Sequence, residues 1–178
     1  MKKSIVIVGA GGLGKSVASL LGNLREFEIV GFYDDRQIQG SHILDEFEVL
    51  GNIRMLQEIQ TEISAVIAFG NPGTRKKIWE QLSTNPLIKF PNLIHPAAFL
   101  MNTKRIQLGS GVVIFPQAVL TTDVVIGNNV VIHIGASVHH DVSIGSHSVI
   151  MPGARLVVSE QFEEGSFVES NYFKPHSF

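Results

Sequence analysis

The sequence predicts two consecutive folds: an α/β domain in which strands and helices alternate, followed by a parallel β-helix. A bulky apolar residue recurs at every sixth position from Leu108 to Val168, which indicates the β-helix. A helix repeats its apolar face every three to four residues and a strand every two, so a strict period of six fits neither. Short β-branched runs separated by helical segments in the first half indicate the α/β domain.

The six-residue pattern has no gap. Its bulky positions are Leu108, Ile114, Leu120, Ile126, Ile132, Val138, Ile144, Ile150, Leu156, Phe162 and Val168. Three units form one coil, because Leu108-Gly109, Ile126-Gly127 and Ile144-Gly145 recur eighteen residues apart. Such units bury their apolar faces only by stacking on their neighbours, which is typical of a solenoid.

In the first half, buried strands are predicted at residues 4–8, 27–32, 65–69 and 88–94, and helices at 16–21, 53–59 and 73–82. This alternation is typical of a small doubly wound sheet with helices on both faces. His95-Pro96 marks the boundary between the α/β domain and the β-helix. We therefore expect an α/β domain over residues 1–95, a β-helix over 96–170 and a tail over 171–178.

Composition narrows the classes of function. The 178 residues carry a formal net charge of −2, which gives no electrostatic footprint for nucleic acid or an anionic membrane. No apolar run is long enough to span a bilayer, and the apolar stretch after Met1 is too short for a signal peptide. With no cysteine, disulfides and thiolate metal sites are excluded. We expect a cytoplasmic protein without nucleic-acid or membrane partners.

A glycine motif follows the first strand. Gly9 to Gly14 matches G-x-G-x-x-G, and Asp34 follows about twenty residues later. The pattern predicts phosphate binding at the Gly11-Gly12 turn, with Asp34 and Asp35 hydrogen-bonding a sugar or base. The alternatives are a purely structural glycine turn and, for the two aspartates, a solvated strand end. Because the β-helix replaces the second half of a dinucleotide fold, we expect one nucleotide at most.

The order of motifs carries a resemblance to a known family. The glycine turn is followed by Asp34-Asp35, Phe69-Gly70-Asn71, Arg75-Lys76-Lys77 and Asn92-Leu93-Ile94-His95-Pro96, and then by the hexapeptide coils. This arrangement resembles the bacterial hexapeptide-repeat acyltransferases, which N-acetylate UDP-4-amino sugars or, in relatives, O-acetylate sialic acid. The resemblance implies a Rossmann-like first domain that binds the nucleotide sugar and a left-handed β-helix. It also implies a homotrimer with acetyl-CoA between neighbouring subunits.

The same resemblance implies the site residues. His140 matches the general base and Asp141 its partner, at a corner where residues two and three after the inward Val138 face outward. A neighbouring carboxylate fixes the imidazole tautomer. The implied cofactor contacts are Gly153, Ala154 and Val158, and no resident metal is expected. The implied substrate contacts are Gly9, Gly11, Gly12, Asp34, Asp35 and Asn71.

Several positions depart from the family pattern. The glycine turn has Leu13 where a histidine is usual, and Val149 replaces a second histidine near the thioester. The corner sequence Val157-Val158-Ser159 replaces Ala-Gly-Asn, and the hexapeptide rule first fails at Glu160. These departures favour an alternative, a nucleotide-sugar-binding homologue impaired in catalysis. The sugar, the choice between N- and O-transfer and the acyl donor stay open.

The other histidines leave a third hypothesis, a metal-dependent β-helix enzyme. Its ligands would be His133, His139 or His147 across a trimer interface, although His133 and His147 are expected to be solvated corner residues. Aromatic side chains near the end of the chain are expected to cover the open end of the β-helix. These are Phe167, Tyr172, Phe173 and Phe178.

Overall fold

The computed structural model describes residues 2–174. Contacts divide the chain into two compact units. The first runs to Gly70 and resumes over Thr74–Pro91, and the second contains Asn71–Gly73 and the chain from Asn92 onward. The division after Pro91 lies ahead of the expected boundary at residue 95. No helix among the described residues is both long and apolar enough to cross a membrane.

The first unit is a six-stranded sheet with flanking helices, in the strand order β3-β4-β2-β1-β5-β6. All pairs are parallel except the β3–β4 hairpin. Four successive residues of β1, Ile5 to Val8, are fully buried, so both faces of the central strand are covered. The elements are β1 (Lys3–Val8), α1 (Gly12–Leu21), β2 (Phe27–Tyr33), β3 (His42–Ile43), β4 (Phe47–Gly51), α2 (Ile53–Gln57), β5 (Ile63–Ile67), α3 (Pro72–Leu82) and β6 (Ile88–Lys89).

Two parts of this unit differ from the prediction. The hairpin of β3 and β4 was not predicted, because its strands are short and lack a clear alternation of polar and apolar residues. The predicted strand over 88–94 is two strands in different sheets. Ile88–Lys89 pairs with β5, whereas Leu93–Ile94 pairs with a strand of the β-helix. Pro91, which lacks a backbone N–H, separates them.

The second unit is a parallel β-helix of three sheets. Their orders are β7-β10-β13-β16-β19, β8-β11-β14-β17 and β9-β12-β15-β18, and every pair is parallel. The strands are β7 (Leu93–Ile94), β8 (Phe99–Leu100), β9 (Ile106–Leu108), β10 (Val113–Ile114), β11 (Val119–Leu120), β12 (Val124–Ile126), β13 (Val131–Ile132), β14 (Ser137–Val138), β15 (Ser143–Ile144), β16 (Val149–Ile150), β17 (Arg155–Leu156), β18 (Gln161–Phe162) and β19 (Phe167–Val168). A 3-10 turn, Thr103–Arg105, precedes β9. The predicted fold class, an α/β domain followed by a left-handed β-helix, is confirmed.

Stacked inward side chains form the core of the β-helix. Leu120, Val138 and Leu156 lie one above another on successive coils and are fully buried. The small positions between the bulky ones, such as Ala118 and Ala136, are buried as well. Each strand has only two or three residues, so burial of these side chains against the next coil supplies most of the stability.

A left-handed residue turns the chain at each corner. The backbone there has φ between +55° and +72°, a region favoured by glycine, asparagine and aspartate. The residues at each corner follow one another at intervals of eighteen. They are Gln117, Gly135, Gly153 and Asn171; Asp123, Asp141 and Ser159; and Gly111, Asn129, His147 and Gly165.

The last coil is closed by Tyr172. Its hydroxyl donates to Glu160 Oε1 at 2.8 Å, and its ring meets Phe162 edge-on. Glu160 occupies an inward position, where the hexapeptide pattern calls for a small or apolar residue. Its carboxylate also accepts from the Val157 N–H at 2.8 Å, so both of its oxygens have hydrogen-bond partners. The expectation of an aromatic cover is confirmed for Tyr172. Phe167 and Phe173 are about half exposed, and Phe178 lies outside the described residues.

The glycine turn yields a stability prediction. A Cβ on Gly14 would overlap the carbonyl oxygen of Gly9, whereas a Cβ on Gly12, in the same helix, would meet nothing within 4 Å. Gly14→Ala should therefore lower the free energy of unfolding by about 1–3 kcal/mol or more, as overpacking does. Gly12→Ala, the matched control, should leave it unchanged or raise it by a few tenths of a kcal/mol. Urea denaturation measures both, and equal stability of the two variants would contradict the packing described here.

Candidate active site

His140 and Asp141 form a hydrogen-bonded pair on an exposed corner of the β-helix. They follow β14, and the left-handed Asp141, with φ of 61°, turns the chain there. His140 Nδ1 lies 2.7 Å from Asp141 Oδ2, and the two side chains are 49% and 56% exposed. An imidazole held by a carboxylate at Nδ1 presents Nε2 to solvent as a proton acceptor. His139 is also exposed.

One coil earlier, the same corner carries a second ionic cluster. Asp123 Oδ1 accepts from Arg105 Nε at 2.6 Å and forms an ion pair with Arg105 Nη2, while Oδ2 accepts from Thr122 Oγ1 at 3.0 Å. The hydrogen bond from Arg105 holds the pKa of Asp123 below its ordinary value. Neither Arg105 nor Asp123 was among the site residues expected from the sequence. The signal was available, because Arg105, Asp123 and Asp141 are spaced eighteen apart.

The other β-helix histidines are not free corner residues. His147 is buried, and its Nδ1 lies 3.1 Å from Asn129 Nδ2, so the expectation that it is solvated is wrong. His133 is half-buried and stacks on Phe115 with ring centroids 5.1 Å apart. Within residues 2–174, no group of three or more histidine and acidic side chains could hold a metal ion.

The expected cofactor residues lie in the coil that follows His140. Gly153 turns the chain with φ of 70°, and a Cβ there would lie 2.5 Å from Asn171 Oδ1. Ala154 is fully buried at an inward position of the hexapeptide, so its side chain cannot reach a ligand outside the coil. Val158 is half-buried at the corner above His140. Val149, which replaces the second histidine of the family pattern, is fully buried.

In the first unit, Asp34 supports the glycine turn. Its Oδ2 accepts from the Ala10 N–H and its Oδ1 from the Arg36 N–H, both at 2.7 Å. Asp34 is only 7% exposed, so the alternative of a solvated strand end is wrong for it. Asp35 Oδ1 accepts from the Ile53 N–H at 2.9 Å, at the start of α2. Both carboxylates thus hold backbone segments around one pocket.

The start of α1 is open at two consecutive glycines. Gly11 and Gly12 are exposed, and a Cβ on either would meet nothing within 4 Å. Gly11 is the N-cap and makes no side-chain cap hydrogen bond. Packing therefore requires glycine at Gly9 and Gly14 but not at these two positions. Leu13, which replaces the histidine of the family pattern, is half-buried.

A buried arginine, Arg75, holds the end of β5 next to the glycine turn. Arg75 is fully buried, and its Nη1 donates to the carbonyl oxygens of Ile67 at 2.6 Å and Phe69 at 3.1 Å. Burial lowers the pKa of Arg75 to about 9. The Phe69 ring packs against Gly9, since a Cβ there would lie 2.8 Å from Phe69 Cε2. Arg75 belongs to one of the motifs found in the sequence, but only the structure shows that its charged group is buried.

A pocket of about 300 Å³ opens beside these residues at the carboxyl edge of the sheet. Asp35, Arg36, Phe69, Lys77 and Gln81 are among its lining residues. In open α/β sheets, ligands bind at this edge. Its volume is at the lower end of the range for small-molecule sites. Asn71, the last of the expected substrate residues, is exposed immediately before α3.

Family models match both parts of the chain. Residues 4–82 match the PglD N-terminal domain, and residues 123–157 match the bacterial transferase hexapeptide of six repeats. No curated protein sequence matches the chain.

Solved structures match nearly the whole chain. The acetyltransferase domain of PglB from Neisseria gonorrhoeae FA1090 is 32% identical, with a TM-score of 0.86 over 96% of this chain and 81% of that one. That domain has also been solved in complex with acetyl coenzyme A. Perosamine N-acetyltransferase from Caulobacter crescentus, solved with CoA and GDP-perosamine, is 23% identical, with a TM-score of 0.78 over 94% of this chain and 86% of that one. WeeI from Acinetobacter baumannii AYE is 22% identical, with a TM-score of 0.83 over 99% and 82% of the two chains.

At 23% and 22% identity, the latter two structures support the fold. The family is shown by the N-terminal and hexapeptide matches together with the identity to the PglB domain. The chain belongs to the PglD-like hexapeptide-repeat acetyltransferases.

Proposed function

We propose that this protein transfers the acetyl group of acetyl-CoA to the amino group of a nucleotide-linked sugar, with His140 as general base. The observation that carries the proposal is the 2.7 Å pair of His140 and Asp141 on an exposed corner of an acetyltransferase β-helix. The choice of donor and acceptor draws on the relatives, one solved with acetyl coenzyme A and another with CoA and GDP-perosamine.

The pair suits acyl transfer. With Nδ1–H donated to Asp141, Nε2 of His140 removes a proton from the sugar amine as its nitrogen attacks the thioester carbon. The tetrahedral intermediate collapses with cleavage of the carbon–sulfur bond, and the imidazolium returns the proton to the departing CoA thiolate. Asp141 stabilises the imidazolium in between. Such a base contributes roughly 10²–10⁴ in rate, and holding both substrates together contributes more.

The nucleotide sugar fits the first unit. Its phosphates would accept from backbone amides at the open Gly11-Gly12 turn, where the partial positive charge at the start of α1 favours an anion. Gly9 shapes this turn, and Asp34 holds it through the Ala10 N–H. Asp35 lines the pocket in which the base or ribose would lie.

For the donor, we propose binding along the coil of Gly153 and Val158, between neighbouring subunits of a homotrimer, as the family resemblance implies. Val149 and Val158 favour a second candidate, a homologue that binds the nucleotide sugar without transferring an acetyl group. Both valines replace residues of the family pattern near the thioester or pantetheine arm.

Replacing His140 tests the proposed chemistry. His140→Ala should lower kcat/KM by about 10²–10⁴-fold, because the base is lost while binding is retained. The assay follows thiol release from acetyl-CoA with GDP-perosamine and a panel of UDP-4-amino sugars. His139→Ala is the matched control, since this neighbouring histidine is exposed at the same corner.

Unchanged turnover in His140→Ala would remove the proposed base. A wild-type protein that binds a nucleotide sugar but releases no thiol would support the binding-only candidate instead.

Filling the glycine turn tests substrate binding separately from catalysis. A nucleotide sugar that binds only the native state should raise the Tm of the wild-type protein. In Gly12→Val this rise should be lost, because the side chain fits the fold but occupies the space proposed for the phosphates. Ser19→Val, an exposed position on the same helix, is the control and should keep the rise. An equal Tm shift in both variants would place the ligand elsewhere.

A further inference from the structure

We propose that Asp123 is a positioning residue for the transfer reaction, acting through His140 from the coil below it. This inference rests on the proposed function, in which His140 becomes protonated as the amine attacks. Asp123, held by Arg105, would supply a second fixed negative charge that favours that protonated ring.

Strand register places the two acidic corners one above the other. Ile106 pairs with Val124, so the preceding Arg105 and Asp123 occupy equivalent positions of adjacent coils. Val125 pairs with Ser143, which brings Asp141 to the same position one coil higher. Leu120 pairs with Val138, and Thr122 therefore lies beneath His140. Because hydrogen-bonded strands are about 4.8 Å apart, these corner residues are direct neighbours.

The hydrogen bonds of Asp123 fix its carboxylate in place. Arg105 Nε donates to Oδ1 at 2.6 Å and Thr122 Oγ1 donates to Oδ2 at 3.0 Å, so both oxygens are held. The hydrogen bond from Arg105 is the main reason that the pKa of Asp123 is low, and the charge of His140 lowers it further. Asp141 in turn contributes to the raised pKa of Arg105, after the contributions of Asp123. The charges of Arg105, Asp123, His140 and Asp141 thus influence one another.

Arg105 compensates the charge of only one of the two aspartates at this corner. Like charges on directly adjacent strands destabilise a sheet, and here two aspartates follow each other on one corner. The left-handed turn accepts other residues, as the uncharged Ser159 at the next coil demonstrates. Protonation of His140 relieves the repulsion, because the group then carries two positive and two negative charges. A stack of like charges beside a titratable base is a feature of functional sites.

Removing the carboxylate while keeping its shape tests the inference. With acetyl-CoA and the best amino-sugar acceptor from the assay above, Asp123→Asn should lower kcat by about 1.4-fold to fivefold, the range measured for exposed charge pairs, with little change in KM. Asp123→Glu should recover most of the loss. Glu58→Gln, which breaks the exposed Arg54–Glu58 ion pair of α2, is the matched control and should leave kcat unchanged.

A double substitution separates positioning from structural support. If Asp123 acts through the imidazole, Asp123→Asn should cost nothing further in a protein that already carries His140→Ala. The same loss in both backgrounds would show that Asp123 merely supports the fold and would overturn the inference.

A second readout needs no acceptor sugar. It can therefore test this inference even if the proposed function is wrong. NMR follows the His140 ring as the pH is raised in the wild type, Asp123→Asn and Glu58→Gln. The charged groups around the ring are Asp141, Asp123 and Arg105, with His139 next in the chain and the uncharged Val158 and Ser159 on the coil above. Relative to the wild type, loss of the Asp123 carboxylate should move the measured midpoint to lower pH, since a nearby anion favours the protonated ring. An unmoved midpoint would overturn the inference even if the enzyme is active.

Discussion

Side-chain stacking between coils eighteen residues apart is the constraint on which the second unit depends. Each strand is too short to be stable alone, and burial of the bulky position of one coil on that of the next keeps the parallel register. A shift of one residue would turn the apolar set outward, so the register is strongly specified. The register then determines which corner residues are neighbours. Val138, which is fully buried two residues before His140, therefore fixes the position of the exposed His140–Asp141 pair.

The periodic parts of the fold could be predicted because local pattern and tertiary packing agree there. Every bulky position from Leu108 to Val168 lies in a strand of the β-helix. The β3–β4 hairpin and the break after β6 could not be predicted in the same way. Both depend on which neighbouring strand offers hydrogen bonds, and two-residue strands such as Ile88–Lys89 and Leu93–Ile94 carry too little pattern to decide it.

The candidate site residues that are adjacent in the chain could be proposed from the sequence, whereas those on neighbouring coils were not. His140 and Asp141 are consecutive, whereas Asp123 and Arg105 join them only through register. The role of Asp34 also required the structure, because its bond to the Ala10 N–H depends on the pairing of β1 with β2. For His147, the sequence pattern placed the residue at a corner, but the structure shows the side chain buried, with Nδ1 against Asn129 of the preceding coil.

In the proposed reaction, the imidazole of His140, held by Asp141 on a β-helix corner, removes the proton of the acceptor amine. A crystal structure with CoA and an amino-sugar nucleotide bound together tests it most directly. We expect the acceptor nitrogen within about 3 Å of His140 Nε2, with Nδ1 still bonded to Asp141. An acceptor nitrogen that lies against other side chains, with the His140 ring facing only solvent, would contradict it.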